Sequence, residues 1–373
     1  MENKVIVFGA SHLNMLGLVR SLGEAGISPI CILLNSKEGM VWESKYPKEK
    51  IYQESVESGF EYIINNYSNE KNRPFLLSTD DRTASIIDKN YSRLKDHFIV
   101  PNAGEDGKVT MLMEKTNIAK LAQEAGFTTP YSNVITKGES LPEDIPYPCF
   151  VKPVISIEGS KKEPAICHNI KELETSLSKF RSDRILVQEY VTKKTELCLQ
   201  GFSIRNGNEV KAYLPFKMRY KRFTETAFGG YVKLDKFVND DEFKQKVINL
   251  LKKTEYEGLL SVEFLEGVNG KLYFTEINFR HDGFSYFTTT GGANLPVGWI
   301  MSKLKNEIVE GKTKDRVIGI NELTDYEQFV KTKRISIFRW LWDCFRADSH
   351  LLYNKKDNKP LKHFIKSWFK RHK

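Results

Sequence analysis

The sequence predicts a mixed fold, an α/β unit followed by α+β units, and three observations carry that prediction. Over residues 1–108 short apolar strands alternate with helical stretches, the rhythm of parallel strands joined by crossover helices. Farther on, two segments, LSVEFL at 260–265 and LYFTEINFR at 272–280, interleave polar and apolar residues at period two, which describes strands with one polar face. Beyond residue 333 the chain turns basic and amphipathic at helical spacing. Its 373 residues are enough for two or three packed units at about 100–200 residues each.

In the first unit, strands at 5–8, 29–34 and 75–78 alternate with helical stretches such as 14–25. The turn at 9–17, GASHLNMLG, contains glycine but not G-x-G-x-x-G, and no acidic residue closes the second strand, so a nicotinamide role is disfavoured. The segment TDDR at 79–82 follows a strand end, where such sheets place ligand contacts; a helix N-cap with first-turn acids explains it equally well. A second unit, 109–187, carries Lys115 at the start of a helical stretch ending at Gly126, and Lys152 in the strand CFVKP at 149–153. Between Pro153 and Ala165 a short loop offers Gly159 and Ser160, whose N–H groups could lie over phosphates; an ordinary hairpin turn is the competing reading. The third unit, 188–325, holds the strand end QEYV at 188–191, strands near 198–204 and 209–214, a helix over 240–253 and the two interleaved strands. GGANLP at 291–296 reads as a loop ahead of a helix that could offer its N-terminus to an anion.

Glu276, Asn278 and Arg280 fall at i, i+2 and i+4 of one strand and share a face, while Ile277 and Phe279 take the other. Glu263 lies on the other interleaved strand. Two carboxylates and an amide oxygen are hard ligands of the kind Mg²⁺ takes when it also holds nucleotide phosphates, and an arginine beside them can fork onto a phosphoryl or carboxylate oxygen. The group reads as a metal-phosphate site, with a solvated strand edge as the bland alternative.

Together with Lys115, Lys152 and QEYV, these residues resemble the ATP-grasp superfamily in order and approximate spacing, over about residues 1–310. The resemblance implies an ATP-grasp fold with an N-terminal Rossmann-like preliminary domain (1–108), a small subdomain (109–187), a large catalytic subdomain (188–325) and a basic helical C-terminal tail (326–373). It implies ATP and Mg²⁺ as cofactors. By that likeness Lys115 and Lys152 touch nucleotide phosphates under a loop containing Ser160, Gln188, Glu189, Tyr190 and Val191 present backbone groups to adenine, and Glu196 binds ribose. Glu263, Glu276 and Asn278 match the Mg²⁺ ligands, and Arg280 with Lys152 supplies catalytic electrostatics at the transferred phosphoryl. Arg219, in the cationic stretch KMRYKR at 217–222, would face the substrate with Arg280, His281 and Ser285. A solvated basic strand and a satisfied structural histidine are the alternatives.

The activity implied is an ADP-forming, ATP-dependent carboxylate-amine ligase working through an acyl phosphate. Likeness to the D-aspartate ligase branch points to joining an amino acid to a cell-envelope or polysaccharide precursor. A carboxylase or carbamoyl-phosphate-type enzyme shares the fold, but neither a biotin-acceptor segment nor a second grasp unit is visible. A catalytically silent ATP-binding, membrane-associated protein is disfavoured by retention of both lysines, both carboxylates, Asn278 and Arg280.

Charge sets the last segment apart. Residues 333–373 hold twelve Lys/Arg against three Asp/Glu, a net of +9 that equals the net charge of the whole chain. After Pro360, residues Leu361, Phe364, Ile365, Trp368 and Phe369 mark one helix face, with Lys362, Lys366, Lys370 and Arg371 on the flanks and far side. Ile335, Phe338, Leu341, Trp342 and Phe345 repeat the theme beside Arg334, Arg339 and Arg346. This predicts attachment to an anionic membrane surface through 333–373, against packing on the body or on the partner of a homodimer. Five scattered cysteines without CxxC spacing predict free thiols in a reducing compartment. No leader-like start and no apolar run near ~18 residues is visible, so the expectation is a cytoplasmic protein, at most peripheral on the inner face of the membrane. Small-molecule carboxylate and amine substrates are the expected partners, and nucleic acid is not, for want of a reading module.

Overall fold

Strand β1 (Val5–Ala10) opens the chain and is buried along its whole length. In the computed structural model, which describes residues 2–155, 163–225, 229–238 and 240–371, it starts a run of βα steps. These are α1 (Leu13–Glu24) into β2 (Ile30–Leu34), α2 (Met40–Glu43) into β3 (Glu49–Tyr52), and α3 (Val56–Tyr67) into β4 (Phe75–Ser78). The four strands pair in parallel in the order β3-β2-β1-β4. Apolar runs such as VIVF and ICILL suit such a sheet because helices cover both of its faces. Helices α4 (Asp81–Lys89), α5 (Tyr91–Leu94), α6 (Lys108–Leu112) and α7 (Lys115–Glu124) lead out of it.

A second, antiparallel sheet follows. It contains β5 (Ser132–Thr136), β6 (Cys149–Pro153), β7 (Ala165–Cys167) and β8 (Arg184–Glu189), in the order β5-β8-β6-β7, with α8 (Ile170–Leu177) packed on it. Gly159 and Ser160 lie outside the described residues, so the expected phosphate-covering loop is not described.

The largest sheet has seven strands in the order β13-β12-β9-β10-β11-β14-β15. Along the chain these come as β9 (Lys193–Asn206), β10 (Glu209–Tyr220), β11 (Tyr231–Lys236), α9 (Asp241–Thr254), β12 (Gly258–Gly267) and β13 (Leu272–Asn278). Helices α10 (Ser285–Thr290) and α11 (Leu295–Lys305) and strand β14 (Arg316–Ile320) complete the body. Leu197, Leu199, Val262, Phe264 and Ile277 face a core made with α7 and α9. Cys198, Phe202, Phe216 and Met218 face the opposite core, made with α1, α10 and α11 of the N-terminal side.

The last segment is sewn into this body. Helix α12 (Glu322–Asp325), a π-helical turn (Tyr326–Val330) and α13 (Ile337–Arg346) lead to β15 (Ser349–His350), which extends the large sheet in parallel with β14. The final helix, α14 (Lys359–Arg371), packs on α2. Arg20 of α1, fully buried, holds the intervening turn: its Nε meets Asp357 Oδ2 at 3.1 Å, and its Nη1 and Nη2 donate to the Leu351, Leu352 and Asp357 carbonyls at 2.7–3.1 Å. Ser44 and the Lys45 N–H donate to the same carboxylate at 2.9 and 3.0 Å. Every charge in this buried pair is hydrogen-bonded, as burial of ions demands.

Candidate active site

The site grows from the β12–β13 hairpin. Its register pairs Ser261 with Asn278, Val262 with Ile277 and Glu263 with Glu276. Ser261, Glu263, Glu276 and Asn278 therefore share one face, while Val262, Ile277 and Phe279 enter the core on the other. Past Glu263 the register slips, leaving Thr275 as the extra residue of a bulge, and its hydroxyl donates to the Glu263 carbonyl at 2.9 Å. A bulge of this kind bends the strand and re-aims the side chains beside it. Asn278 Nδ2 donates to Glu263 Oε1 at 2.9 Å, and Asn278 Oδ1 accepts from Arg280 Nη2 at 3.0 Å.

Cations converge on this face from other parts of the chain. The Lys115 N–H at the start of α7 donates to the Val154 carbonyl just past β6 (3.3 Å), and its Nζ lies 3.7 Å from Glu276 Oε2. Lys152, on β6 itself, has its ammonium pKa pushed down to about 8, first by burial and then by Lys115, against the pull of Glu276, Glu263 and Glu196. Two lysines and three carboxylates thus occupy one electrostatic neighbourhood. Arg280 Nε reaches Asp81 Oδ1 at 2.6 Å, tying the site to the N-terminal sheet. Asp80, one residue earlier, is the N-cap of α4, accepting from the Thr83 N–H at 3.0 Å. The capping reading of TDDR therefore holds for Asp80, while Asp81 faces the site.

Glu263 in particular is crowded by like charge. Glu263 and Glu276 stand directly across from each other, where like charges repel. The Glu263 carboxyl is held well above the usual range, first by burial and then by Glu276, Asp282 and Glu196. Among the described residues no three His, Cys, Asp or Glu gather at a single point. Two carboxylates and one amide oxygen nevertheless fit Mg²⁺, which is commonly held by one or two protein carboxylates with phosphate and water completing its octahedron. Glu263, Glu276 and Asn278 are the residues that could hold it.

Several expected residues sit elsewhere or do other work. Leu197, not Cys198, opposes Arg219, so Arg219 stands on the far face of the sheet from Glu196, Cys198 and Glu263. There it is half-exposed with Nε 3.9 Å from Glu266. The cationic stretch around it alternates sides, and the register that decides its face cannot be read from its own residues. Glu196 is on the site face, ion-paired with Lys193. Gln188 is buried in β8 between Ser132 and Phe150. The Glu189 and Tyr190 N–H groups donate to the Tyr131 and Pro148 carbonyls at 2.7 and 3.1 Å, and Val191 is buried next to them.

His281 and Ser285 are both buried behind Arg280. The His281 pKa is pushed down to about 3, first by burial and then by Arg280, so the ring stays neutral. Among the described residues neither ring nitrogen has a partner in hydrogen-bonding geometry, although the Asn14 backbone is close enough to oppose the shift slightly. Asp282, which the sequence places beside His281 and Ser285 as a residue that could face the acceptor, instead accepts from the Phe284 and Ser285 N–H groups (2.7 and 3.1 Å) and from Gln200 Nε2 (2.9 Å). Nothing in the sequence signals Gln200, whose Oε1 is buried without a hydrogen-bond partner among the described residues.

No family model and no curated protein matches the sequence. Solved structures do match the fold. N5-carboxyaminoimidazole synthetase from Staphylococcus aureus complexed with ADP superposes with a TM-score of 0.66 at 14% identity, covering 90% of this chain and 86% of that one. An L-amino acid ligase from Bacillus licheniformis gives 0.64 at 13%, over 85% and 79%. Biotin carboxylase from Campylobacter jejuni gives 0.63 at 15%, over 85% and 75%. With the strand order described above and these structural neighbours, the chain has the ATP-grasp fold.

Proposed function

We propose that this chain is an ATP-dependent, ADP-forming ligase that joins a carboxylate to an amine through an acyl phosphate. One observation carries the reading: Lys115 and Lys152 from one side, and Glu263, Glu276, Asn278 and Arg280 from the other, meet across a cleft between two sheets. Carboxylates mutually repelled, beside a Lys152 ammonium whose proton is loosely held, form an arrangement that phosphates and a divalent cation would satisfy together. Bound Mg²⁺ would supply charge neutralisation between phosphate oxygens.

The chain's own groups then bind and orient. Lys152, its proton weakly held, gains it firmly when phosphate approaches, and Lys115 adds a second cation on the same side. Asp81 and Asn278 fix the Arg280 guanidinium in place, so that it can stabilise charge spreading over the transferred phosphoryl without reorganising. A substrate carboxylate oxygen attacks the γ-phosphorus as ADP leaves. An amine then attacks the acyl carbon, phosphate leaves, and the amine's proton passes to solvent. Groups past Tyr190, and carbonyls of the same segment, are left for adenine, since the Glu189 and Tyr190 N–H groups are spent in the sheet. An amino acid as the carboxylate, and a cell-envelope or polysaccharide precursor as the acceptor, is the finer reading; a ligase of amino acids among the structural neighbours supports its first half.

The test is a substrate panel read by phosphate release, with hydroxylamine as trap. Amino-acid-dependent ADP and a hydroxamate are expected. Release driven by bicarbonate alone would favour a carboxylase, and AMP with pyrophosphate would sink the acyl-phosphate mechanism.

The same reading includes peripheral attachment to an anionic membrane, and α13 supports it. Its Asp343 is buried against Arg222 and Arg339, while Phe338 and Phe345 are 80% and 82% exposed and Leu341 and Trp342 lie between them. Arg339 and Arg346 flank this apolar face. Such a face, aromatic and rimmed by cations, is suited to a headgroup boundary. Among the described residues no helix is long and apolar enough to cross a membrane.

A further inference from the structure

A cavity of about 1050 Å³ opens between α12, the π-helical turn, α13 and α14, with no residue of the β12–β13 hairpin among those that line it. It lies at the upper end of the ~300–1,000 Å³ typical of small-molecule sites. Leu323, Tyr326, Trp340, Leu352, Phe364 and Trp368 line it. Most of the wall is apolar, although Glu322, Glu327, Lys331, His350 and His363 also reach it. Beside it, sharing His363 and Ser367, runs a groove of about 450 Å³ bearing Lys37, Lys366 and Lys370 against Glu38 and Glu43, with Glu43 held by His363 at 3.5 Å. An apolar chamber joined to a cationic groove matches an anionic amphiphile.

Placement ties this pair of spaces to the catalytic face. Ser11 and Gly39, in the turns after β1 and β2, line the cavity, and Lys37 lies in the same turn after β2. Asp81, which holds Arg280, follows β4. All three turns are at the C-terminal edge of one parallel sheet, where ligands of open α/β sheets bind.

We infer that the cavity holds the hydrocarbon chain of a lipid-anchored, anionic substrate, whose head lies along the C-terminal edge of the parallel sheet toward Arg280. The word substrate rests on the ligase reading; the chain-binding site does not. The charge of 333–373 and the outward aromatic face of α13 would bring this cavity to the surface that carries such molecules.

The experiment uses full-length protein and a diazirine-bearing hexadecyl phosphate below its micellar concentration, with cross-linked peptides mapped by mass spectrometry. Labelling should concentrate in 322–331 and 340–368. It should fall about tenfold in Cys344→Phe and in Ser367→Trp, each of which fills lining volume. Ser367 is on the partly exposed side of α14, so at least that variant should fold, as a magnesium-nucleotide thermal shift can verify. Phe338→Ser with Trp342→Ser, which leaves the cavity intact, should keep the labelling while losing sedimentation with phosphatidylglycerol vesicles. A diazirine-bearing hexadecanol labelling as well as the phosphate would remove the anionic head from the proposal. Labelling scattered over the chain, or unchanged in both filling variants, overturns it. So does dissociation of a dimer by either variant, which would assign the cavity to a second copy of the chain. If labelling persists as described while no carboxylate stimulates phosphate release, the ligase reading has failed and the lipid site has not.

Discussion

The β12–β13 hairpin and helix α13 are both amphipathic by sequence, yet they use their charges in opposite ways. In the hairpin, Glu263, Glu276 and Asn278 turn toward a cleft, and Ile277 and Phe279 go to the core. In α13 the acid is inside and the aromatics are outside: Asp343 is buried on Arg222 while Phe338 and Phe345 face solvent. Helix α14 lies between these extremes, with its Phe364 turned to a cavity and its backbone packed on α2. Periodicity reports that an element has two faces. Which face is buried depends on the partner that waits for it, and a guanidinium such as Arg222 can outbid a row of aromatics when its carboxylate partners are fully hydrogen-bonded.

The largest expected effect separates the anchor of the C-terminal segment from its outward face. Arg20→Ala leaves Asp357 buried and unpaired, and should destabilise the fold by about 3–5 kcal/mol as read by denaturant unfolding. Loss of under about 1 kcal/mol would mean that the last two helices dock without that pair. Asp357→Asn, which keeps hydrogen bonds to Ser44 and Lys45 within reach, should cost less.

Next come the charges turned outward into the cleft. Glu276→Gln should lower the proposed ligase turnover by about 10²-fold or more, while folding stability in magnesium-free buffer rises, because relief of the cross-strand repulsion with Glu263 outweighs loss of the 3.7 Å contact with Lys115. A variant that turned over normally would remove Glu276 from the proposed machinery. A variant that lost stability would show that Glu276 gains more from Lys115 than it loses to Glu263.

The outward face of α13 should respond more weakly. Phe338→Ser with Trp342→Ser should leave folding stability within about 0.5 kcal/mol, since exposed side chains away from special features contribute little. Sedimentation with phosphatidylglycerol vesicles at moderate salt should drop. Unchanged sedimentation would leave α13 as a surface feature with no membrane role.

The smallest effect is a proton. The Lys152 pKa is about 8 in the fold against the ordinary 10.5, so between those pH values the unfolded chain binds a proton that the folded one does not. This term makes stability rise with pH across that window, and below about 8 both states carry the proton. Nucleotide phosphate should raise the folded pKa, so binding at about pH 9 should take up a proton that Lys152→Gln does not. Calorimetry in two buffers of different ionisation enthalpy measures it, and equal uptake by the variant would move the effect to another group.

Much of the chain's local plan was legible from residues alone. The alternation of β12 and β13, the βα rhythm of the first strands and the helix of α7 each depend on side-chain direction within one element, which backbone geometry dictates. The order in which Lys115, Lys152, Glu263, Glu276, Asn278 and Arg280 occur pointed to one superfamily, and the fold agrees. The Asp81–Arg280 pair, 199 residues apart, was beyond that reach, as was Arg20–Asp357, 337 apart. So was the face taken by Arg219, because it follows from which residue of β9 stands opposite.

Strand and helix periods are local, and the sequence by itself determined them: where β12 and β13 run, which of their residues share a face, and that α13 and α14 are amphipathic. Tertiary structure alone decided that Glu263 meets Glu276 and not another acid, that Arg219 turns away from the cleft, that Asp343 rather than Phe338 is buried, and that a cavity remains between α13 and α14. Each of those outcomes is a choice between partners brought together from distant parts of the chain. Register, ion pairing and packing volume make that choice only once the sheets and helices have met.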